Sequence, residues 1–288
     1  MVVDVAVPAA AVLGEGPVWD ATERRLLWVD IEGRMLHRYD PVSRVDQSVA
    51  TSARVGAVAL RQGGGLVLAM EHTFALAAAG DDAPTVIATV EPSAPTRMND
   101  GNCDSRGRFY AGTMALDERS PVGSLYRLDP DGAVEQILND VTVSNGIDWS
   151  LDGETMFYVD SAAESLDAFD FDIAAGRISN RRTVVRFSPE EGAPDGLTID
   201  REGFVWVALW GGWSIRRYTP RGELERTVRL PAQNITSAAF GGELLDELYV
   251  TSAREGLTDS DLDTQPDAGA LFRCRPGVVG RTQHLYGG

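Results

Sequence analysis

Short apolar strands rich in aromatic residues recur along this chain with a period of about 40 to 48 residues. Six such segments are found, at 26–30, 66–70, 108–112, 156–160, 204–208 and 247–251. After most of them a second strand follows and ends in a turn, at 35–41, 124–130, 166–170, 214–220 and 270–274. Period-two alternation with Asp-Gly, Asp-Pro and Arg-Gly turns between strands predicts all-β structure.

Six repeats in 288 residues give about 48 residues per repeat, which is the size of a four-stranded propeller blade. The sequence therefore predicts an all-β, six-bladed β-propeller with a central channel, formed by residues 1–288 as one domain. The segment 2–7 alternates like a strand and is predicted to complete the last blade. No window sustains a helical pattern over three turns, although 184–191 is compatible with a short helical turn.

Charge and composition exclude several classes of function. The net charge is −17, which repels phosphate backbones and anionic lipid, so neither nucleic acid nor a membrane is an expected partner. All 26 basic residues are arginine. Schiff-base chemistry, pyridoxal phosphate attachment and a Walker-type phosphate loop therefore lack the lysine that they require.

Several catalytic and structural motifs are missing as well. The two cysteines, Cys103 and Cys274, are far apart and predict buried thiols rather than a zinc cage or a disulfide. No G-x-S-x-G elbow and no dinucleotide fingerprint occurs. No apolar stretch approaches about 20 residues, so a soluble cytoplasmic protein is expected. Catalysis must therefore use carboxylates, amides, arginine or a metal.

Polar residues precede most of the repeated strands at a nearly fixed distance. Glu15, Asn99, Asn145 and Asp195 each open such an approach segment, whereas the second repeat has the apolar Val55 region there. Equivalent positions converge around the axis of a propeller, so two carboxylates and two amides would form a hard-oxygen set for Ca²⁺, Mg²⁺ or Mn²⁺. Such residues also cap turns before glycine, but four in register favour a ligand set.

The approach segments resemble those of the regucalcin and gluconolactonase family, also called the senescence marker protein (SMP-30) family. The matching segments span nearly the whole chain in order, at 13–19, 97–101, 107–114, 144–150, 194–196, 235–237 and 240–242. The resemblance implies a six-bladed propeller that hydrolyses sugar lactones in carbohydrate metabolism. It also implies one divalent cation in the channel, namely Ca²⁺, Mn²⁺, Mg²⁺ or Zn²⁺.

Roles for individual residues follow from the same resemblance. Glu15, Asn145 and Asp195 match the metal ligands of the family, and Asp195 also matches the suggested general base. Arg97 and Asn99 match substrate-binding residues, and the two lie on one face of an extended segment because they are two residues apart.

An acidic substrate contact is expected in the loop after Met114. Asp117 is its predicted source and Glu118 the alternative. Regucalcins have Glu at the position aligned with Asp117, so the shorter side chain is a departure from the family pattern.

The predicted reaction is metal-dependent hydrolysis of a sugar lactone to the aldonic acid. Two alternatives stay open: a non-catalytic calcium-binding propeller, and a phosphotriesterase-type hydrolase that uses the same site. The acidic run at 259–263 suggests an EF-hand, but Thr264 and Ala270 stand where that loop requires Gly and Glu. That run is predicted to be a solvated loop.

Overall fold

The protein is described by a computed structural model over residues 1–79 and 83–288. Within these residues, 24 strands form six four-stranded antiparallel sheets. Each sheet is one of the predicted blades, and the all-β, six-bladed propeller is confirmed. The chain divides into two compact units of three blades each. Two statements stay predictions: that residues 1–288 form one domain, and that a metal lies in the channel.

Unit 1 comprises Met1–Ala50 and Phe187–Thr282 and holds blades 1, 5 and 6. Its strands are β1 (Val3–Val7), β2 (Gly14–Asp20), β3 (Arg25–Asp30), β4 (Met35–Asp40), β5 (Val45–Ala50), β18 (Ala193–Ile199), β19 (Val205–Trp210), β20 (Ser214–Tyr218), β21 (Leu224–Arg229), β22 (Asn234–Gly241), β23 (Glu247–Ala253) and β24 (Leu271–Cys274). Blade 1 is β2 to β5, blade 5 is β18 to β21, and blade 6 is β22 to β24 with β1 as its fourth strand.

Unit 2 comprises Thr51–Arg186 and Gln283–Gly288 and holds blades 2, 3 and 4. Its strands are β6 (Val55–Leu60), β7 (Leu66–Met70), β8 (Thr73–Ala77), β9 (Thr85–Thr89), β10 (Thr96–Cys103), β11 (Phe109–Ala115), β12 (Gly123–Leu128), β13 (Val134–Val141), β14 (Ser144–Trp149), β15 (Thr155–Asp160), β16 (Ser165–Asp172) and β17 (Arg177–Arg186). They form the blades β6 to β9, β10 to β13 and β14 to β17 in order.

The second strand of each blade carries the core, because strands on both sides cover it. β7, β11, β19 and β23 are buried along nearly their whole length. The fourth strands are mostly exposed, as in β5 and β17. The repeated aromatic residues therefore fill the space between neighbouring blades of one unit, such as Trp206 against Phe240 and Tyr110 against Trp149. Cys103 and Cys274 are buried free thiols, as predicted.

Strand β1 completes blade 6, as the alternation in 2–7 predicts. It pairs antiparallel with β24, and Val7 is buried in a cluster with Trp28 and Tyr249. At the other end of the chain Tyr286 belongs to unit 2, where its ring joins the cluster around Phe109. Its hydroxyl donates to the Asp129 carbonyl at 2.9 Å.

Two helical segments differ from expectation. The predicted helical turn at 184–191 forms only as a single 3₁₀ turn over Pro189–Glu191, because β17 extends to Arg186. The acidic run at 259–263, predicted to be a loop, forms the short helix α1 (Asp259–Thr264). A capping box between Thr258 and Asp261 stabilises the start of this helix. Among the described residues, no helix is long and apolar enough to cross a membrane.

The first strand of every blade carries one extra residue at the same place. The register of pairing with the second strand shifts by one residue within six segments: 15–18, 55–57, 98–101, 144–147, 194–197 and 235–238. A β-bulge of this kind bends the strand and redirects a side chain out of the alternating pattern. The approach segments of the sequence are therefore six bulges in equivalent positions.

Removal of β1 tests its closing role. Deletion of residues 2–7 exposes the edge of β24 and the apolar cluster around Val7, so the melting temperature should fall by more than about 5 °C. A matched control is Val5→Thr, on the same strand but with a side chain that is 38% exposed. Thermal unfolding followed by circular dichroism checks both, and an unchanged melting temperature in the deletion would contradict the role given to β1.

Candidate functional site

The predicted site residues lie at or directly beside the bulges. Asn99, Asn145 and Asp195 are unpaired bulge residues, and Glu15 is the last paired residue before the bulge of β2. All four side chains belong to residues that are only 5 to 6% exposed. Polar groups buried to this degree require hydrogen-bond or ion partners, so their surroundings decide what they can bind.

In unit 2, Arg97 and Asn99 form a fixed pair. The guanidinium Nη1 of Arg97 donates to Asn99 Oδ1 at 2.7 Å and to the Met98 carbonyl at 3.1 Å. Asn99 Nδ2 donates in turn to the Ser144 carbonyl at 2.7 Å, at the start of the next blade. The predicted common face of Arg97 and Asn99 is thus confirmed, and the oxygen of the Asn99 amide is already engaged.

Asn145, also in unit 2, is oriented differently. Its Nδ2 donates to the hydroxyl of Ser161 at 3.0 Å. Its Oδ1 is buried and has no hydrogen-bond partner among the described residues. Because a buried carbonyl oxygen without a partner costs free energy, this oxygen is available to accept a hydrogen bond or bind an ion. The two asparagines therefore differ in what their oxygens can do, although the sequence presents them as equivalent.

In unit 1, Glu15 and Asp195 flank the same segment of β22. The hydroxyl of Thr236 donates to the Gly14 carbonyl at 2.6 Å, directly before Glu15. Gly196, directly after Asp195, lies so close to the Ser237 side chain that a Cβ atom would collide with it. The bulges of blades 1 and 5 are thus both fixed against the bulge of blade 6.

The glycine that follows Glu15 allows its tight turn. Gly16 has φ of 50°, in the left-handed region, and its N–H donates to Glu15 Oε2 at 2.9 Å. At Gly196 the requirement is the close approach of blade 6 rather than a left-handed backbone.

Two buried aspartates that sequence reasoning missed hold the chain just before the site. Asp160 accepts the N–H groups of Thr142 and Val143 at 3.0 and 2.9 Å. Asp30 does the same for Val12 and Leu13 in blade 1, at 2.9 and 3.0 Å. Both end a second strand in the same Val-Asp dipeptide, which is the sequence signal that would have identified them.

The residue that follows Asn99 is Asp100, whose carboxyl has a raised pKa. Burial raises the pKa of Asp100 to about 7, the N–H of Gly101 opposes that rise, and the nearby Asp148 carboxylate adds to it. The Gly101 N–H donates to Asp100 Oδ1 at 2.6 Å. Asp100, which follows Asn99 in the chain, therefore keeps its proton to a higher pH than an ordinary aspartate does.

The predicted acidic contact lies on an exposed loop. Asp117 Oδ1 accepts the N–H groups of Arg119 and Ser120 at 2.9 Å, and Oδ2 accepts the Ser120 hydroxyl at 2.6 Å. These bonds, the Ser120 hydroxyl first, lower the pKa of Asp117 to about 2. Asp117 thus serves as the cap of its own turn, and its substrate role stays a prediction, as does that of Glu118.

The donor set fits a hard divalent cation. In the described part of the chain no three His, Cys, Asp or Glu side chains cluster to hold a metal. The predicted set does not need such a cluster, because it would use the two carboxylates of Glu15 and Asp195 and the amide oxygen of Asn145, which has no hydrogen-bond partner among the residues that the structure describes. Carboxylate and amide oxygens are the ligands that Ca²⁺ and similar ions prefer.

Comparison with known proteins agrees with the motifs. Residues 13–254 match the family model for the SMP-30/gluconolactonase/LRE-like region. Regucalcin of Gallus gallus is 44% identical over 284 residues, covering 96% of this chain and 95% of its own.

Two solved structures have the same fold. A luciferin-regenerating enzyme is 34% identical with a TM-score of 0.91 and covers 99% of both chains. Regucalcin of Agrobacterium tumefaciens, described as a calcium-binding protein, is 28% identical with a TM-score of 0.93, covering 98% of this chain and 96% of that one. With a family model that matches most of its length, the chain belongs to the SMP-30/gluconolactonase/LRE-like family.

Proposed function

We propose that the protein hydrolyses a sugar lactone to the aldonic acid with the help of one divalent cation, held by Glu15, Asn145 and Asp195. The observation that carries the proposal is the buried Oδ1 of Asn145, which has no hydrogen-bond partner among the described residues. Support also comes from the location of the three residues in or directly beside the bulges of their blades, and from the family. We propose the cytoplasm as its location.

When bound, the cation supplies Lewis acidity toward the carbonyl oxygen of the lactone. Arg97 and Asn99 bind the sugar hydroxyls and so present the carbonyl carbon to a water molecule. The Asp195 carboxylate accepts a proton from that water as its oxygen attacks the carbon. The bond to the ring oxygen then breaks and that oxygen takes up a proton, so that one water is consumed and a hydroxy acid is released.

The pairing of Arg97 with Asn99 favours an enzyme over a purely structural calcium site. A structural ion needs only its ligands, whereas a buried guanidinium held at 2.7 Å from an amide provides fixed donors beyond the ion. The rates of hydrolysis of glucono-1,5-lactone and paraoxon distinguish a lactonase from a phosphotriesterase. If neither compound is hydrolysed, the result favours a non-catalytic calcium-binding protein.

Substitutions separate the base from the binding group. Asp195→Ala should lower kcat at least about 10³-fold, because it removes the proposed base and a ligand. Arg97→Ala should raise KM about 10-fold with a smaller change in kcat, since a charged hydrogen bond to substrate is lost. Steady-state kinetics on glucono-1,5-lactone, with enzyme stripped by EDTA and then given Ca²⁺, Mn²⁺, Mg²⁺ or Zn²⁺, measures both.

The control for these variants is Arg24→Ala, whose arginine is exposed and paired with Glu243. Its kinetics should match the wild type. Wild-type rates in Asp195→Ala would show that both roles assigned to Asp195 are wrong.

The hydroxyl of Ser161 should control cation affinity through Asn145. Ser161→Ala removes the acceptor of Asn145 Nδ2, so the amide is free to rotate its oxygen away, and the cation should bind about 10-fold more weakly. Calorimetric titration of the metal-free protein with Ca²⁺ or Mn²⁺ measures this without reference to turnover. Ser161→Thr keeps the hydroxyl and should restore affinity, and an unchanged affinity in the alanine variant would exclude the orienting role.

A further inference from the structure

An exposed tryptophan occupies the turn between the second and third strands of blade 5. The turn has the sequence Trp210-Gly-Gly-Trp213. Trp213 is 37% exposed and has φ of 54°, in the left-handed region. A bulky side chain is uncommon in that conformation, which glycine or asparagine adopts at lower cost. The turn geometry therefore does not account for an aromatic residue at this position.

The corresponding turns of four other blades show what the fold itself requires. Each also places one non-glycine residue in the left-handed region, with φ between 42° and 55°. In every one of them that residue is charged: Arg34, Glu71, Glu118 and Glu164. A left-handed residue in this turn is thus common to five blades, and only blade 5 has an indole there.

The turn is fixed against the strand that carries Asp195. Trp210 pairs with Ala193 in the ladder between β19 and β18. Gly192 approaches the turn so closely that a Cβ atom would lie 2.6 Å from the Gly212 nitrogen. Asp195 follows Ala193 by two residues, or about 7 Å along an extended strand. The tryptophan turn therefore lies at the same end of blade 5 as the proposed base.

The other side of the turn is fixed to the segment that leads into blade 6. The N–H of Trp213 donates to the Gln233 carbonyl at 3.1 Å, and its carbonyl accepts the N–H of Leu230 at 2.9 Å. Gln233 directly precedes β22, whose bulge at Thr236 and Ser237 lies between those of Glu15 and Asp195. Hydrogen bonds thus hold the Trp213 backbone beside the start of β22, and the close approach of Gly192 places the turn beside the start of β18, which bears Asp195.

We propose that Trp213 is a specificity-determining residue, whose indole stacks against the apolar C–H face of the lactone ring. This inference rests on the proposed function. A sugar ring has hydroxyls at its edge and C–H groups on its face, so a site that holds it needs polar donors together with an aromatic surface. The turn that bears Trp213 lies at the same end of blade 5 as Asp195, so its indole supplies the aromatic surface beside the proposed base. The preferred substrate is then a polyhydroxylated lactone with an unsubstituted apolar face.

Two substitutions that suit the backbone test the proposal. Trp213→Gly and Trp213→Asn both fit a left-handed residue, so the melting temperature should be unchanged or raised by about 2 °C. KM for glucono-1,5-lactone should rise about 10-fold with kcat within about twofold, because only the contact with the ring face is lost. Calorimetric binding of gluconate, the product, should weaken by a similar factor.

The matched control is Leu244→Ala. Leu244 is a large apolar residue that is 70% exposed, in the turn between β22 and β23, and its loss should leave KM and gluconate binding unchanged. A wild-type KM and gluconate affinity in both Trp213 variants overturn the inference while the lactonase proposal stands. A wild-type protein that hydrolyses no lactone under any of the four metals overturns both.

Discussion

One extra residue in the first strand of each blade is the constraint from which the site follows. A regular strand would alternate its side chains between the two faces of the blade. The bulge interrupts that alternation at the same place six times, between Glu15 and Val18 in blade 1 and between Ser144 and Ile147 in blade 4, for example. Repetition of one backbone irregularity thus converts a structural repeat into a set of equivalent polar positions.

Hydrogen bonds then give equivalent positions different chemistry. Asn99 and Asn145 occupy the same place in adjacent blades, yet the oxygen of Asn99 accepts from Arg97 while the nitrogen of Asn145 donates to Ser161. The first amide is therefore committed to holding a guanidinium, and the second presents a carbonyl oxygen. This difference supports the family assignment of Asn145 to the metal and Asn99 to the substrate over a set of four like oxygens.

Sequence reasoning recovers what depends on repetition. The aromatic second strands, the closing strand β1 and the common register of Asn99, Asn145 and Asp195 follow from period and spacing, because every blade repeats them. The bulges, the orientation of the amides and the turn at Trp213 depend on how neighbouring strands pair. The sequence of one strand does not show that pairing. The sequence analysis also missed the local role of Asp117, whose carboxylate caps the turn to Ser120. The spacing of three residues between Asp and Ser is typical of such a turn and could have indicated it.

Three distant side chains are proposed to bind one cation, and an anomalous difference map from crystals soaked in Mn²⁺ would show whether they do. We expect a single strong peak with the carboxylates of Glu15 and Asp195 and Oδ1 of Asn145 within about 2.5 Å. A peak at another place in the protein would contradict this expectation. A structure in which the three side chains lie in separate regions and share no ion would contradict it as well.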